Sequence, residues 1–195
     1  MKRWTFDSLA QENLATLETV MKEGTAPAFS KLVGWEFRGF NVLTAMVKPA
    51  MKVMGFTRFA KGFYNPNSDA STEDAAVDEQ ENIRGYNVLI QRGGLGDSWD
   101  GKPSVEQPKR HSFYQVFPPG TGERDFSDYD HALYLNYGIP ENGIFDGKGI
   151  RDYVVQVDAD NDDLLLGKAY MNVGPIKLHA GYFVLERWRE YKYEA

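Results

Sequence analysis

Three histidines, His111, His131 and His179, are the residues in this chain best suited to proton transfer or metal binding at neutral pH. Three imidazoles on one site would suit zinc, but a shared site needs their elements to converge. The run Asp158-Ala159-Asp160-Asn161-Asp162-Asp163 raises calcium as a second possibility. A helix–loop–helix calcium loop requires Gly at its sixth position and Glu at its twelfth, and here those positions hold Asp163 and Ala169. An acidic hairpin turn is the reading that fits. Gly93-Gly94-Leu95-Gly96 is not a phosphate loop, because the later Gly101-Lys102 pair has the wrong spacing and precedes Pro103. With no cysteine, the chain has no disulfide, no thiolate nucleophile and no thiolate metal site. The G-x-S-x-G, H-E-x-x-H and strand–helix G-x-G-x-x-G patterns are missing as well. The chemistry left is proton exchange by His179, Tyr137 or Tyr153, and binding by aromatic and amide side chains.

Those residues sit on a chain whose dominant pattern is the alternation of β-strands. The stretch Leu32-Val33-Gly34-Trp35-Glu36-Phe37-Arg38-Gly39-Phe40-Asn41 opens the first convincing strand, and Tyr182 to Trp188 forms the last. Strands are predicted at 33–43, 57–65, 83–92, 111–117, 130–137, 150–157, 164–171 and 177–188. Most are joined by short sequential turns, which predicts an all-β, eight-stranded antiparallel up-and-down barrel whose first and last strands pair. One helix is predicted at about 8–23, capped by Asp7 or Ser8 and ended by Gly24. A short helix around Pro49, between the first two strands, carries Met46, Met51 and Met54 beside Lys48 and Lys52. It reads as a packed core helix, a lid over a pocket, or a membrane-docking edge.

The length of 195 residues predicts a single domain spanning 1–195. A net charge of −6 excludes a basic nucleic-acid face as the main expectation. The start of the chain lacks the apolar run of a signal peptide, so a cytoplasmic location is expected. Transmembrane segments are not expected either, since no run approaches the roughly 20 apolar residues needed to cross a bilayer. The acidic stretch 67–82 reads as a solvated loop with no binding role.

Antiparallel order assigns the two ends of such a barrel. The methionine segment, the Gly93–Arg110 loop with Trp99, the 138–149 segment and the 172–175 turn gather at one rim, the expected mouth. Trp35 and Arg187 meet at the other end, near the N-terminal helix, with the guanidinium over the indole. His111 and His131 fall at opposite ends. His111 and His179 share the mouth on non-neighbouring strands with no third ligand, so no metal site is expected. Strand parity nominates Phe37, Asn41, Phe63, Asn87, Phe113, Gln115, Tyr137, Tyr153 and His179 as wall residues. With Met46, Met51 and Met54 at the rim they form the candidate ligand-binding set.

The Gly-Trp opening the first strand behind a helix, and the Arg ending the last strand, resemble the calycin pattern of lipocalins and fatty-acid-binding proteins. Three stretches resemble bacterial GxWxG-motif proteins of unknown function: Lys22–Pro27 running into Leu32–Gly39, Ile150–Asp158 through Gly167, and Tyr182–Arg187. The motif departs at Phe37, where the pattern places its Trp. The resemblance implies a lipocalin-like barrel with an internal cavity, and brings no catalytic residues with it. The expected function is a carrier or sensor of a small hydrophobic molecule such as a fatty acid, terpenoid or tetrapyrrole, without a cofactor. The alternatives are an isomerase, cyclase or lyase working by proton transfer, and a barrel filled by its own side chains that serves a structural or interaction role.

Overall fold

A computed structural model describes residues 3–66, 83–121, 129–143, 146–174 and 176–193. Eight strands form one closed antiparallel barrel in chain order, each strand paired with the next. They are β1 (Trp35–Leu43), β2 (Arg58–Tyr64), β3 (Arg84–Leu89), β4 (Arg110–Phe117), β5 (Leu133–Asn136), β6 (Ile150–Gln156), β7 (Leu164–Val173) and β8 (Ile176–Glu190). The ring closes where β1 pairs with β8, from Trp35↔Glu190 to Leu43↔Gly181. This is the pairing that the two end stretches predict. The acidic stretch 67–82 and the side chain of Met54 lie outside the described residues.

The N-terminal helix divides in two, contrary to the single helix expected over 8–23. Helix α1 (Phe6–Ala10) is capped by Thr5, which trades hydrogen bonds with Ser8 in a capping box. Asn13 then starts α2 (Leu14–Glu23) by accepting the Ala15 and Thr16 N–H groups. An N-cap residue has non-helical backbone, so a second cap inside the apolar pattern divides the helix. The two helices pack on the outside of β1, β7 and β8. Leu9, Leu17 and Met21 are fully buried there, each side chain adding about 1.5–3 kcal/mol of burial. A short helix, α3 (Lys48–Met54), joins β1 to β2.

The wall is therefore apolar on both sides. One core fills the closed end inside the barrel, with Phe29, Leu32, Phe37, Phe63, Tyr114 and Leu185. The other lies outside under the helices, where Phe6, Leu17 and Met21 meet Tyr134, Tyr153 and Val184. At the closed end Arg187 lies 4.5 Å from the centre of the Trp35 ring, as parity predicts. The cover there includes the 3-10 turn Phe29–Lys31 with Leu32, whereas α1 and α2 lie along the wall.

Three irregularities interrupt the pairing, one of them between Glu36 and Phe37 where β1 meets β8, and the other two turn candidate residues. In β4 the pairing with β3 slips between Gly85 and Asn87, beside Ser112, whose φ is +50°. In β8 the pairing with β7 slips between Ala169 and Tyr170, at Gly181, whose φ is +146°. A Cβ at Gly181 would lie 2.5 Å from the Val42 carbonyl oxygen, so both backbone angle and space favour glycine.

Candidate functional site

The mouth end of the barrel encloses a cavity of about 350 Å3. Its apolar wall includes Leu43, Phe56, Leu89, Ile150, Met171 and the inner floor rings Phe59 and Phe183. Phe59 and Phe183 meet edge to face, with centroids 5.8 Å apart. Phe183 can lie flat across the floor because β7 offers Gly167 opposite, where a Cβ would stand 2.0 Å from the ring. Met51 of α3 lines the cavity, as do Gly147 and Ile150 from the segment before β6. The rim expected from connectivity is the end that is open.

On that floor the barrel buries an ion pair. Lys61 follows Phe59 on the inner face of β2, and Asp152 precedes Val154 on the inner face of β6. Their relative exposures are 2% and 3%. Lys61 Nζ donates to Asp152 Oδ2 at 3.0 Å, to Asn87 Oδ1 at 3.1 Å, and to the Tyr137 hydroxyl. Tyr137 in turn donates to Asp152 Oδ2 at 3.1 Å. Asp152 Oδ1 is buried without a hydrogen-bond partner. Aromatic rings of Tyr114, Tyr137, Phe183 and Phe59 have centroids 4.9, 5.0, 5.0 and 5.5 Å from Nζ, positions that favour a cation.

Burial moves both charged partners toward neutrality. Desolvation lowers the Lys61 pKa against the pull of Asp152. Desolvation likewise raises the Asp152 pKa, against the stabilisation offered by Lys61 and Tyr137. Tyr137 is pushed well above its ordinary value by desolvation and by Asp152, so it stays a hydroxyl donor. Burial thus weakens the hold of both members of the pair on their charges.

At the rim, His111 Nδ1 lies 2.7 Å from Ser112 Oγ, and both residues line the cavity. Desolvation, with Lys109 nearby, lowers the His111 pKa and keeps the ring neutral.

Of the residues nominated from sequence, Asn41, Met51, Asn87 and Tyr137 line this cavity. Phe37 and Phe63 point inward but are packed into the closed-end core. Others are corrected. Phe113 faces outward against Tyr86 and Tyr193, because the slip at Ser112 turns it away from the face of His111. Gln115 lies between the inward Tyr114 and Val116 and so shares that outer face. His179 is turned out by the Gly181 bulge and meets the rings of Tyr170 and Tyr182. Tyr153 packs outside with Tyr129 and Tyr134, because the inward position next to it belongs to Asp152. Met46 is 73% exposed and does not line the cavity. Trp99, expected at the rim, lies on the outer wall between Phe6 and the guanidinium of Arg58.

Sequence reading missed Lys61, Asp152 and Ser112. The signal for Lys61 was present: it alternates with Phe59 and Phe63 on one face of its strand. The histidines do not converge, since His131 bonds the Met21 carbonyl oxygen and His179 lies outside. Among the described residues, no three His, Asp or Glu side chains are placed to hold a metal ion. No helix is long and apolar enough to cross a membrane among them. A shallow groove of about 500 Å3 on the outer wall, lined by Asp7, Gln11, Phe40 and Leu95, lacks a comparable polar cluster.

A closed eight-stranded antiparallel barrel with this cavity is compatible with a lipocalin-like fold, while comparison with protein-family models, curated proteins and solved structures finds no match.

Proposed function

We propose that this barrel binds a small, mostly apolar molecule with one polar group, as a carrier or sensor. The observation that carries this reading is the buried Lys61–Asp152–Tyr137–Asn87 cluster at the floor of an otherwise apolar cavity. Small-ligand sites pair an apolar wall with a few converging polar groups, in volumes of about 300–1,000 Å3. The sequence resemblance to GxWxG-motif, lipocalin-like proteins supports the same reading. Nile red, an uncharged apolar dye, tests it. Ala169 lines the cavity beside its cross-strand partner Asp152, so Ala169→Phe fills the space above the floor. The expected result is bright Nile red binding that falls at least about tenfold in the variant, a loss of about 1.4 kcal/mol. Equal binding by both proteins, with unchanged circular dichroism, would place the dye elsewhere and defeat the reading.

A second reading is an enzyme of the isomerase, cyclase or lyase type, favoured by one contact. Tyr137 donates to Asp152 inside the cavity, an acid and a base on one proton path. Under this reading Asp152→Asn abolishes turnover while a bound apolar ligand is retained. Retained turnover would exclude Asp152 as the base.

A further inference from the structure

We infer that the cavity's ligand carries an aldehyde or ketone, and that Lys61 holds it covalently as an imine; this rests on the binding reading above. Lys61 brings its only amine to the floor of an apolar cavity and is 2% exposed. A lysine becomes a nucleophile when it can lose its proton in an apolar pocket. Here the acceptor is in place, since Asp152 Oδ2 lies 3.0 Å from Nζ. The Tyr137 hydroxyl touches both.

The chemistry closes on these three residues. The Lys61 ammonium passes a proton to Asp152. The nitrogen lone pair attacks the carbonyl carbon, forming the C–N bond as the C=O π pair moves to oxygen. Tyr137 gives its proton to that oxygen as it takes one from nitrogen, leaving a carbinolamine. Asp152 then returns its proton to the hydroxyl, the C–O bond breaks, and water leaves through the mouth. The nitrogen pair forms the C=N bond. The products are a protonated imine on Lys61, an ionised Asp152 and one water, with no oxidant or reductant consumed. Asp152 becomes the counter-ion, and the four rings around Nζ favour the iminium cation as they favoured the ammonium. A carboxylate ligand would instead bring a second anion beside Asp152 in a buried site.

The whole protein, incubated with trans-cinnamaldehyde and sodium cyanoborohydride, tests this by intact mass and peptide mapping. The expected adduct weighs one aldehyde less one oxygen. It sits on Lys61 at least about tenfold in preference to Lys22 and Lys31, whose side chains are 61% and 54% exposed. Lys61→Met should remove it. Because that change strands a buried Asp152, the paired variant Lys61→Met/Asp152→Leu supplies a folded control that must also lack it. Displacement of Nile red separates the two readings. If cinnamaldehyde displaces the dye but Lys61 stays unlabelled, or is labelled no faster than Lys22, the imine is overturned and binding stands. If neither the dye nor the aldehyde binds, both fall.

Discussion

The barrel wall carries two clusters of lysine, carboxylate and tyrosine, one on each side, and they behave in opposite ways. Inside, Lys61, Asp152 and Tyr137 are enclosed, and burial moves the amine pKa down and the carboxyl pKa up. Outside, Glu18 of α2 accepts from Lys168 at 2.7 Å, from Tyr129 at 2.7 and 2.9 Å, and from Tyr182. There burial also pushes the carboxyl up, but hydrogen bonds from Lys168, Tyr182 and Tyr129 outweigh it and hold Glu18 down to about 2. The difference is solvent and donor number. A carboxylate given three donors at a half-open edge stays ionised and clamps a helix. One given two donors in a closed cavity is disfavoured as an anion. The same residue types serve as a fastener outside the wall and as a reactive group inside it.

The largest effect should come from breaking the inner pair on one side only. Lys61→Met leaves the Asp152 carboxyl buried beside Tyr137 without its cation and should cost about 3–5 kcal/mol in urea unfolding. Replacing both partners, as Lys61→Met/Asp152→Leu, should recover most of that loss, because an apolar pair of similar volume avoids the desolvation penalty. The double variant should still fail to bind a ligand through a polar group. If it is no more stable than the single one, the inner cluster is a structural staple, and its contrast with the outer cluster disappears.

A smaller effect separates the clusters by pH. The folded pKa of Glu18 is depressed from an ordinary 4.5 to about 2. Its contribution is therefore complete above pH 4.5 and is lost as pH falls toward 2. Discounted for its contact with solvent, the expected loss is about 1–2 kcal/mol. Glu18→Gln should remove that share of the acid sensitivity. Asp152 has the opposite sign, because its raised pKa makes the folded chain hold its proton more tightly than the unfolded one. Asp152→Asn should not flatten the acid limb. Unfolding free energies measured from pH 6 to pH 2 would decide, and equal slopes for Glu18→Gln and the parent would refute the clamp.

Much of this was legible in the sequence, and the failures have physical causes. All eight strands fall within a few residues of the alternating segments. Connectivity alone placed the open end, because antiparallel order puts Met51 and the segment before Ile150 on one rim. Side-chain facing was harder. Alternation names the inner face only when the outer face is wet, and here the helices make the outside apolar as well. Tyr153 was therefore assigned inward and Asp152 passed over, the reverse of what the barrel does. His179 and Phe113 were each displaced by a local slip in register. Gly181 inside a strand was the visible warning for one of these; Ser112 carried none. Lys61 belongs to no chemical motif, and only its two-residue spacing from Phe59 and Phe63 marks it as inward.

The smallest charge-dependent effect is the coupling of a third charged group to its ring, at the closed rim, where the comparison predicts little of either behaviour. Arg187 stacks on Trp35 and bonds Asp163, whose side chain is 63% exposed. Solvent shields this pair, so neither a proton-sharing site nor a strong clamp is available to it. Trp35 is half-buried rather than covered by a helix, so Trp35→Ala should cost about 2 kcal/mol, below the range for a core aromatic. Arg187→Ala should cost about 1 kcal/mol through lost stem packing and lost stacking. A double-mutant cycle should return a coupling of about 0.5–1 kcal/mol, since each loss removes the same contact. Nile red affinity should stay within about twofold, because the contact lies at the opposite end from the cavity. A large loss of binding at unchanged stability would mean that the closed rim shapes the cavity, and the separation of the barrel into a reactive end and a structural end would not hold.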